Sequence, residues 1–511
     1  MRHILLLVLS VFALSLTSCR DDFEFEPSTG GLEFSKDTVY LDTVFTNIGS
    51  STYRLKVYNR SDKDIKIPSI KLGRDNSKYR LMIDGMPGTS FSDVELMAKD
   101  SMFVFIETTA SIADANPDDF LYTDEIQFTS INGVQKVNLV TLIQDAVFIY
   151  PNRPVDTGIK ETLRISGLES DIQGHELTTA EELHWTNQKP YVVYGYALVP
   201  NNRTLVIDPG ARVHFHAESG LIVDREGTLA VNGAPSSTEA LENEVIFEGD
   251  RLEPDFADTP GQWGSVLMFS VNDNFINHLT LKNATVGLLM QRLDLTTTDI
   301  PKLTINNSQI YNCANIGLLA RRGNITSTNL VANNCGQASI ALTQGGEYAF
   351  KHATIANYFN AYNQVPLLMN DYLETEDAVY VSDLNAVFEN CIMYGSNNYG
   401  ISLENISEGA AAFNYRFKNC LIRFNDVSGQ LEDEPLYNFE GANYTGIIIA
   451  KGTNNNNPEF VDARNNNLDI EEDSAAKDMG ATDVGITVDI AGRPRSTPPD
   501  MGAYEYTPGA D

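Results

Sequence analysis

Apolar and polar positions along the second half of the chain repeat one short phrase. Leu281-Lys282-Asn283-Ala284-Thr285-Val286 returns from Ile305, Ile325, Phe350, Phe388 and Phe417. The template is apolar, any, Asn/His/Ser, small, any, apolar, and the third place is Asn in four of the six copies. Short apolar strands recurring at roughly 20–30 residues are the mark of a stacked repeat array. In each phrase the two end residues belong to strands and must point inward. Asn between them tolerates the left-handed region and hydrogen-bonds its own backbone, which suits a tight corner. The small residue that follows fits a crowded inner bend.

Strand, Asn corner, strand is the bend of a right-handed parallel β-helix. Circuits stacked about 4.8 Å apart would let the Asn side chains form an amide ladder. A leucine-rich repeat lacks its required Leu spacing here. A β-sandwich for this region would need hairpin turns, and Asn-Gly pairs are scarce. The fold class expected is therefore all-β, with the repeat region a solenoid.

Upstream, the alternation has period two. Phe34 to Phe45 alternates around Val39, Leu41 and Val44. Tyr53–Tyr58 is followed by a polar turn and by Ile65-Lys66-Ile67, and Met102–Ile106 reads as a buried strand. Glu125–Phe128, Ile131–Val134 and Val137–Val140 read as strand, turn and strand. Short strands at this density predict an antiparallel β-sandwich over 31–150. Its opening resembles Hydin-type immunoglobulin-like domains, which implies a spacer or docking module without a catalytic site. Residues 151–190 read as a connector and N-terminal cap, with a short helix over Glu176–Leu183. His184-Trp185 and Tyr191–Tyr196 are aromatic residues that cover the open first circuit. The solenoid then runs over 191–440, opening with Thr204–Phe215 around Pro209-Gly210, and 441–511 forms the last circuits and a cap. Arg493 and Asp500 are expected to pair there.

The N-terminus adds an address. An apolar run, Ile4–Leu16, follows Arg2 and His3 and is too short to span a bilayer. Leu16-Thr17-Ser18-Cys19 resembles a bacterial lipobox. That implies a signal peptide over 1–18, cleavage before Cys19 and acylation of Cys19. An ordinary secretory peptide with a chance Cys is the alternative. The acidic stretch within 19–30 reads as a tether and resembles the surface-export signal of Bacteroidota lipoproteins. With Pro260–Val266 and the six phrases, the chain from Cys19 onward resembles right-handed β-helix lipoproteins of Bacteroidota with an immunoglobulin-like module. These are pectate-lyase-like (pectin lyase-like) in fold. The resemblance implies an outer-membrane lipoprotein at the cell surface, held by its N-terminal lipid.

Charge narrows the partners. Over 511 residues, 69 acidic against 36 basic side chains give a formal net charge of −33. That balance disfavours nucleic acid and anionic lipid as direct partners. The other cysteines, Cys313, Cys335, Cys391 and Cys420, each follow an Asn. They read as inward small residues, with Cys313–Cys335 and Cys391–Cys420 close enough on adjacent circuits for disulfides. No Cys-x-x-Cys metal spacing occurs.

β-Helix enzymes act on acidic polysaccharides with a basic residue beside Ca²⁺, or with paired carboxylates. The polygalacturonase signatures Asn-Thr-Asp and Gly-His-Gly are absent. Asn232-Gly233-Ala234-Pro235 lacks the acid of the alginate-lyase-like motif. His278 and His352 fall at corners, where hydrogen bonding accounts for them. The candidate binding residues are Arg321 and Arg322 at a strand end, and Glu374, Glu376 and Asp377 in an insertion; a second insertion spans Gln430–Pro435. The acidic insertion is the candidate for Ca²⁺, though no EF-hand pattern surrounds it, and no metal or cofactor is otherwise implied. The sequence thus favours a non-catalytic surface protein that binds glycan, as in carbohydrate binding modules, or another envelope protein. A polysaccharide lyase or glycoside hydrolase with an unrecognised site is the alternative.

Overall fold

The computed structural model describes residues 24–508 except 118, 155, 157, 239, 407–410 and 453–455. Cys19 and the signal segment lie outside the described residues. The chain is all-β and divides into two compact units, 1–145 and 146–511. Among the described residues, no helix is long and apolar enough to cross a membrane.

In the first unit two sheets enclose a core that includes Val39, Leu55, Ile67, Tyr79, Ile106, Ile126 and Leu139. One sheet holds Glu26–Pro27, Thr38–Phe45, Ile65–Leu72, Ser90–Leu96, Leu121–Ser130 and Gly133–Gln144. The other holds Glu33–Phe34, Tyr53–Tyr58, Tyr79–Ile83, Met86–Gly88 and Ser101–Thr108. The expected antiparallel order is broken twice. Gly133–Gln144 pairs in parallel with Thr38–Phe45, and Glu26–Pro27 in parallel with Ile65-Lys66. The supposed tether therefore enters the sheet at Glu26. Met102–Ile106 is not a strand buried throughout: Val104 and Ile106 face the core, while Phe103 and Phe105 face out. A run of apolar letters hides the two-residue alternation that decides which face each side chain takes.

In the second unit the chain circuits between three ladders of parallel strands, each circuit stacking on the one before. The first ladder starts with Val147–Ile149 and continues through Tyr191–Val193, Arg212–Phe215 and Val245–Gly249 to Ile448–Ala450. Val147–Ile149, placed by its sequence at the end of the first domain, thus pairs inside the second unit. The third ladder stacks the phrase residues Phe350, Phe388 and Phe417 inward, on Tyr444. Ring centroids are 5.1, 5.0 and 5.4 Å apart along this file.

Glu176–Leu183 is not helical. Glu176 ends a strand, and residues 178–183 make one turn closed by the Glu182 carboxylate, which accepts from the Thr178 and Thr179 amides at 2.9 Å each. Propagation stops because Leu183 and Trp185 are drawn into the core, where Trp185 stacks on Tyr191 at 5.0 Å.

The six phrases sort into two different corners. His278, Asn307, Asn329, His352, Asn390 and Asn419 form one file, every one with φ between 47° and 56°. Each amide in the file donates to the carbonyl before the next corner, as in Asn307 to Thr328 and Asn390 to Lys418, both 2.9 Å. Asn283 belongs to a second file with Asn312 and Asn334, also left-handed. The copy read from Ile325 is displaced by two residues: Ser327 aligns with Ile305 and Phe350, and Asn329 is its corner. Ser327 is polar at an inward position, so a search for apolar ends passes over it.

The amide ladder is short. Asn307 donates to Asn277 at 3.0 Å, Asn329 to Asn307 at 2.8 Å, and Asn390 to the His352 Nε2 at 3.0 Å. Asn283 donates to the Ala257 carbonyl at 2.8 Å, while the corners at Asn419, Asn312 and Asn334 reach the C-terminal segment. Asn419 donates to the Met479 carbonyl at 3.1 Å, and Asn466 bridges Asn312 and Asn334 at 3.1 and 2.8 Å.

That segment is not an end cap. Leu468, Ile490 and Ala503 pack on Val331 and Ala356; Ile470, Ala476 and Met501 pack with Ile392, Leu421 and Ala450. It covers the outward side of the first ladder. Arg493 does not pair with Asp500. Its Nε donates to Asp489 at 2.7 Å and its Nη1 to Asp469 at 2.7 Å. Asp500 instead accepts from the Asp478 and Tyr506 amides at 2.6 and 2.7 Å, so its carboxylate needs no cation. The four described cysteines are buried free thiols, with Cys313 directly beside Cys335 in register.

Candidate functional site

The second ladder, which runs from Tyr196–Val199 through Gly220–Val223, Val266–Met268 and Val286–Met290 to Ile401–Glu404, has an outward face with two fates. Toward its N-terminal end, the hairpin of Thr162–Ile165 and Leu168–Glu176 covers it. Leu163 and Ile165 pack there with Leu198, Ile222 and Phe269. Farther along, the same file of positions continues through Leu289, Leu319, Ala341 and Leu368 to Ser402, each paired with the next. Among the described residues no hairpin lies on these positions, and Leu319, Ala341, Leu368 and Ser402 form the floor of a groove of about 1400 Å³.

A polar file runs beside that floor. Arg321 pairs with Thr343, and Asn370 with Glu404. The Arg321 guanidinium donates to Gln291 Oε1 at 3.0 Å, and the Tyr372 hydroxyl to Glu404 at 3.0 Å. That bond to the Glu404 carboxylate holds the Tyr372 phenol above its ordinary pKa.

The wall is built from stacked turns. Asn397 donates to the Tyr362 and Gln364 carbonyls at 3.1 and 2.8 Å, and Asn425 to Asn398 at 3.2 Å. Tyr399 is fixed by its hydroxyl on Asp426 at 3.1 Å. Tyr362 stands fully exposed at 100% beside the groove. Both sequence insertions reach the same place. Tyr372, Leu373 and Glu374 contribute from a two-stranded hairpin, and Leu431 and Glu434 from the other insertion, followed directly by Leu436 and Tyr437.

Arg321 and Glu374 thus meet in one groove, across circuits. The other expected residues do not join them. Arg322 takes a left-handed φ of 54° at an irregularity in the ladder and is not among the lining residues. Its charge, added to burial, pushes the Arg292 guanidinium below its ordinary pKa. Glu376 and Asp377 sit exposed at the turn of the hairpin, outside the lining. Among the described residues, no group of three or more His, Cys, Asp or Glu is arranged to hold a metal ion, the Glu374–Asp377 turn included.

Sequence reasoning missed Tyr362, Tyr399, Tyr437, Glu404 and the amides Asn363, Asn397, Asn398 and Asn405. A signal existed. Tyr362-Asn363-Gln364 and Asn397-Asn398-Tyr399 are Asn/Tyr-rich turns in consecutive circuits, each just ahead of a strand of the second ladder. Recognising it needed the correct register of circuits.

Burial sets the chemistry of the histidines. His352 is fully buried, and desolvation, together with Arg495, lowers its pKa to about 3. It lies at a corner, not in the groove, and is neutral at ordinary pH.

No protein-family model matches the chain, and no curated protein matches it. Solved structures are similar over parts of it. The periplasmic chaperone SfaE is 15% identical over 22% of this chain and 58% of its own, with a TM-score of 0.16. The ASH/PapD-like domain 7 of human CEP192 is 12% identical over 25% of this chain and 96% of its own, TM-score 0.16. The catalytic unit of a GH87 alpha-1,3-glucanase from Streptomyces thermodiastaticus is 11% identical over 72% of this chain and 66% of its own, TM-score 0.23.

Proposed function

We propose that this chain is a lipid-anchored, surface-exposed outer-membrane protein. In this reading an immunoglobulin-like sandwich carries a right-handed parallel β-helix that binds glycan without cleaving it. The observation that supports glycan binding most is the open groove on the second ladder. An apolar floor, amide walls and exposed tyrosines suit sugar rings, whose faces are apolar and whose edges are hydroxyls. Glu374, Glu404 and Glu434 against Arg321 favour a neutral glycan over a polyuronate.

A panel of neutral and acidic polysaccharides, tested by calorimetry and by reducing-end and unsaturated-product assays, checks the reading. Expected is binding to a neutral glycan, weakened about tenfold or more by Tyr362→Ala, with no product. Stacking on one aromatic ring supports a loss of that order. Turnover abolished by Glu404→Gln or Glu374→Gln would replace it with the second reading, a glycoside hydrolase, which the carboxylates at the groove favour. Binding to no glycan, with capture of an envelope protein through the same groove, would overturn the glycan assignment. The anchor is tested separately: mass spectrometry of the mature protein should find a diacylglyceryl group on Cys19, and an unmodified N-terminus would exclude it.

A further inference from the structure

The first unit carries a surface of different chemistry from the groove. On the outward side of its five-stranded sheet, Phe103 and Phe105 are 42% and 38% exposed, and Met82 is 41% exposed. Strand pairing places Phe105 between Met82 and Arg54, and Phe103 beside Lys56. The two phenyl rings stack with centroids 6.1 Å apart, and the Lys56 ammonium lies 5.4 Å from the Phe103 ring.

The charge on this face runs against the chain as a whole. The formal net charge is −33, yet among the described residues no carboxylate forms an ion pair with Arg54 or Lys56. Their neighbour Arg80 does have one, Glu107 at 3.6 Å. Exposed Phe and Met with unpaired Lys and Arg around them leave both an apolar and an electrostatic demand unmet.

We propose that this sheet face docks on an anionic lipid surface. Phe and Met have no polar atom to satisfy, so they enter the boundary between headgroups and acyl chains. Arg54 and Lys56 extend beside them, their stems over apolar surface and their charges on lipid phosphates. The described chain begins near this unit's first strand, at Glu26. If Cys19 is acylated, seven residues of about 3.5 Å each keep that strand within about 25 Å of the bilayer. The docking itself does not rest on that anchor or on the groove.

The test is sedimentation of the chain from Glu24 onward, which carries every described strand, with vesicles. One set is phosphatidylcholine alone, the other phosphatidylcholine with phosphatidylglycerol. Expected is salt-sensitive binding to the anionic vesicles, falling roughly fivefold for each charge removed in Arg54→Gln and Lys56→Gln. Phe103→Ser with Phe105→Ser should abolish it while the melting temperature holds. The charge variants keep the test independent of any loss of packing. Binding unchanged in all these variants would overturn the proposal. So would equal binding to neutral vesicles, or binding to a soluble polyanion such as dextran sulfate with none to vesicles.

Discussion

Arg495 donates from Nη2 to the Asn329 Oδ1 at 2.9 Å, across 166 residues of sequence. With the bonds from Asn390 to Ala481 and from Asn419 to Met479, this bond ties the C-terminal segment to the file of left-handed corners. The same guanidinium faces Glu505 at 3.3 Å, and the two side chains are 2% and 4% exposed. Glu505 in turn accepts from the Ser496 and Asp500 amides at 2.7 and 3.0 Å. The corner file and the covering segment therefore hold each other through buried polar groups.

Arg495→Ala should destabilise the second unit by about 3–5 kcal/mol, because it leaves the Glu505 carboxylate buried without its cation. Denaturant unfolding followed by tryptophan fluorescence reports on this unit, since Trp185 and Trp263 both lie in its core. A loss under 1 kcal/mol would show that the segment contributes little to the stability of the ladders.

Asn390 is the corner with most to lose. Its side chain exchanges two hydrogen bonds with Ala481, at 2.9 and 2.7 Å, and its φ is 56°. Asn390→Ala should cost about 1–3 kcal/mol in lost buried hydrogen bonds, with left-handed strain added. Asn390→Gly should recover the strain and not the bonds. Asn419→Ala should cost less, because that side chain is only partly buried and reaches one carbonyl, Met479. Thermal melts of the three variants give the order.

His352 makes stability depend on acid. Its folded pKa, about 3, lies below the ordinary 6.5. The unfolded chain therefore binds a proton that the folded chain refuses. This contribution is fully present above pH 6.5 and declines by about 1.4 kcal/mol per pH unit as pH falls toward 3. His352→Asn places at this corner the residue found at Asn329 and Asn390 in the neighbouring circuits. It should flatten the acid side of the stability profile between pH 6.5 and 3 and leave stability at pH 8 nearly unchanged. An unaltered slope would show that carboxylates alone set acid sensitivity.

The thiols give a direct check on packing. Cys313, Cys335, Cys391 and Cys420 are buried and free, and Cys420 is pushed above its ordinary pKa by burial and by Cys391. In Cys313 the neighbouring Cys335 acts first and burial second, in the same direction. Ellman's reagent should find no fast-reacting thiol in the native chain beginning at Glu24 and four after denaturation. Fewer than four on non-reducing denaturation would mean that a pair of adjacent circuits is disulfide-linked.

Much was legible in the sequence by itself. Inward positions at Phe350, Phe388 and Phe417 follow from their spacing and size, and these rings do stack in the core. Asn390 and Asn419 read as tight corners because Asn is among the few residues that enter the left-handed region cheaply. Strand content and the all-β class follow from the same local preferences. Local chemistry could not assign a corner to its file. Asn283 and Asn307 carry similar phrases, and only pairing with the next circuit separates them.

The groove lay beyond local chemistry for the same reason. Arg321, Glu374, Tyr362 and Glu404 are distant in sequence, and they meet because circuits stack in one register. Nor does sequence tell which outward apolar stripe stays bare. Leu198 and Ile222 are covered by a hairpin, Val331 and Ile392 by the C-terminal segment, and Leu319 and Leu368 by neither. Each reads as an ordinary strand residue. Coverage is decided by where a remote segment finds its own hydrogen-bond partners, as Arg495 does at Asn329, and that is a property of the assembled tertiary structure alone.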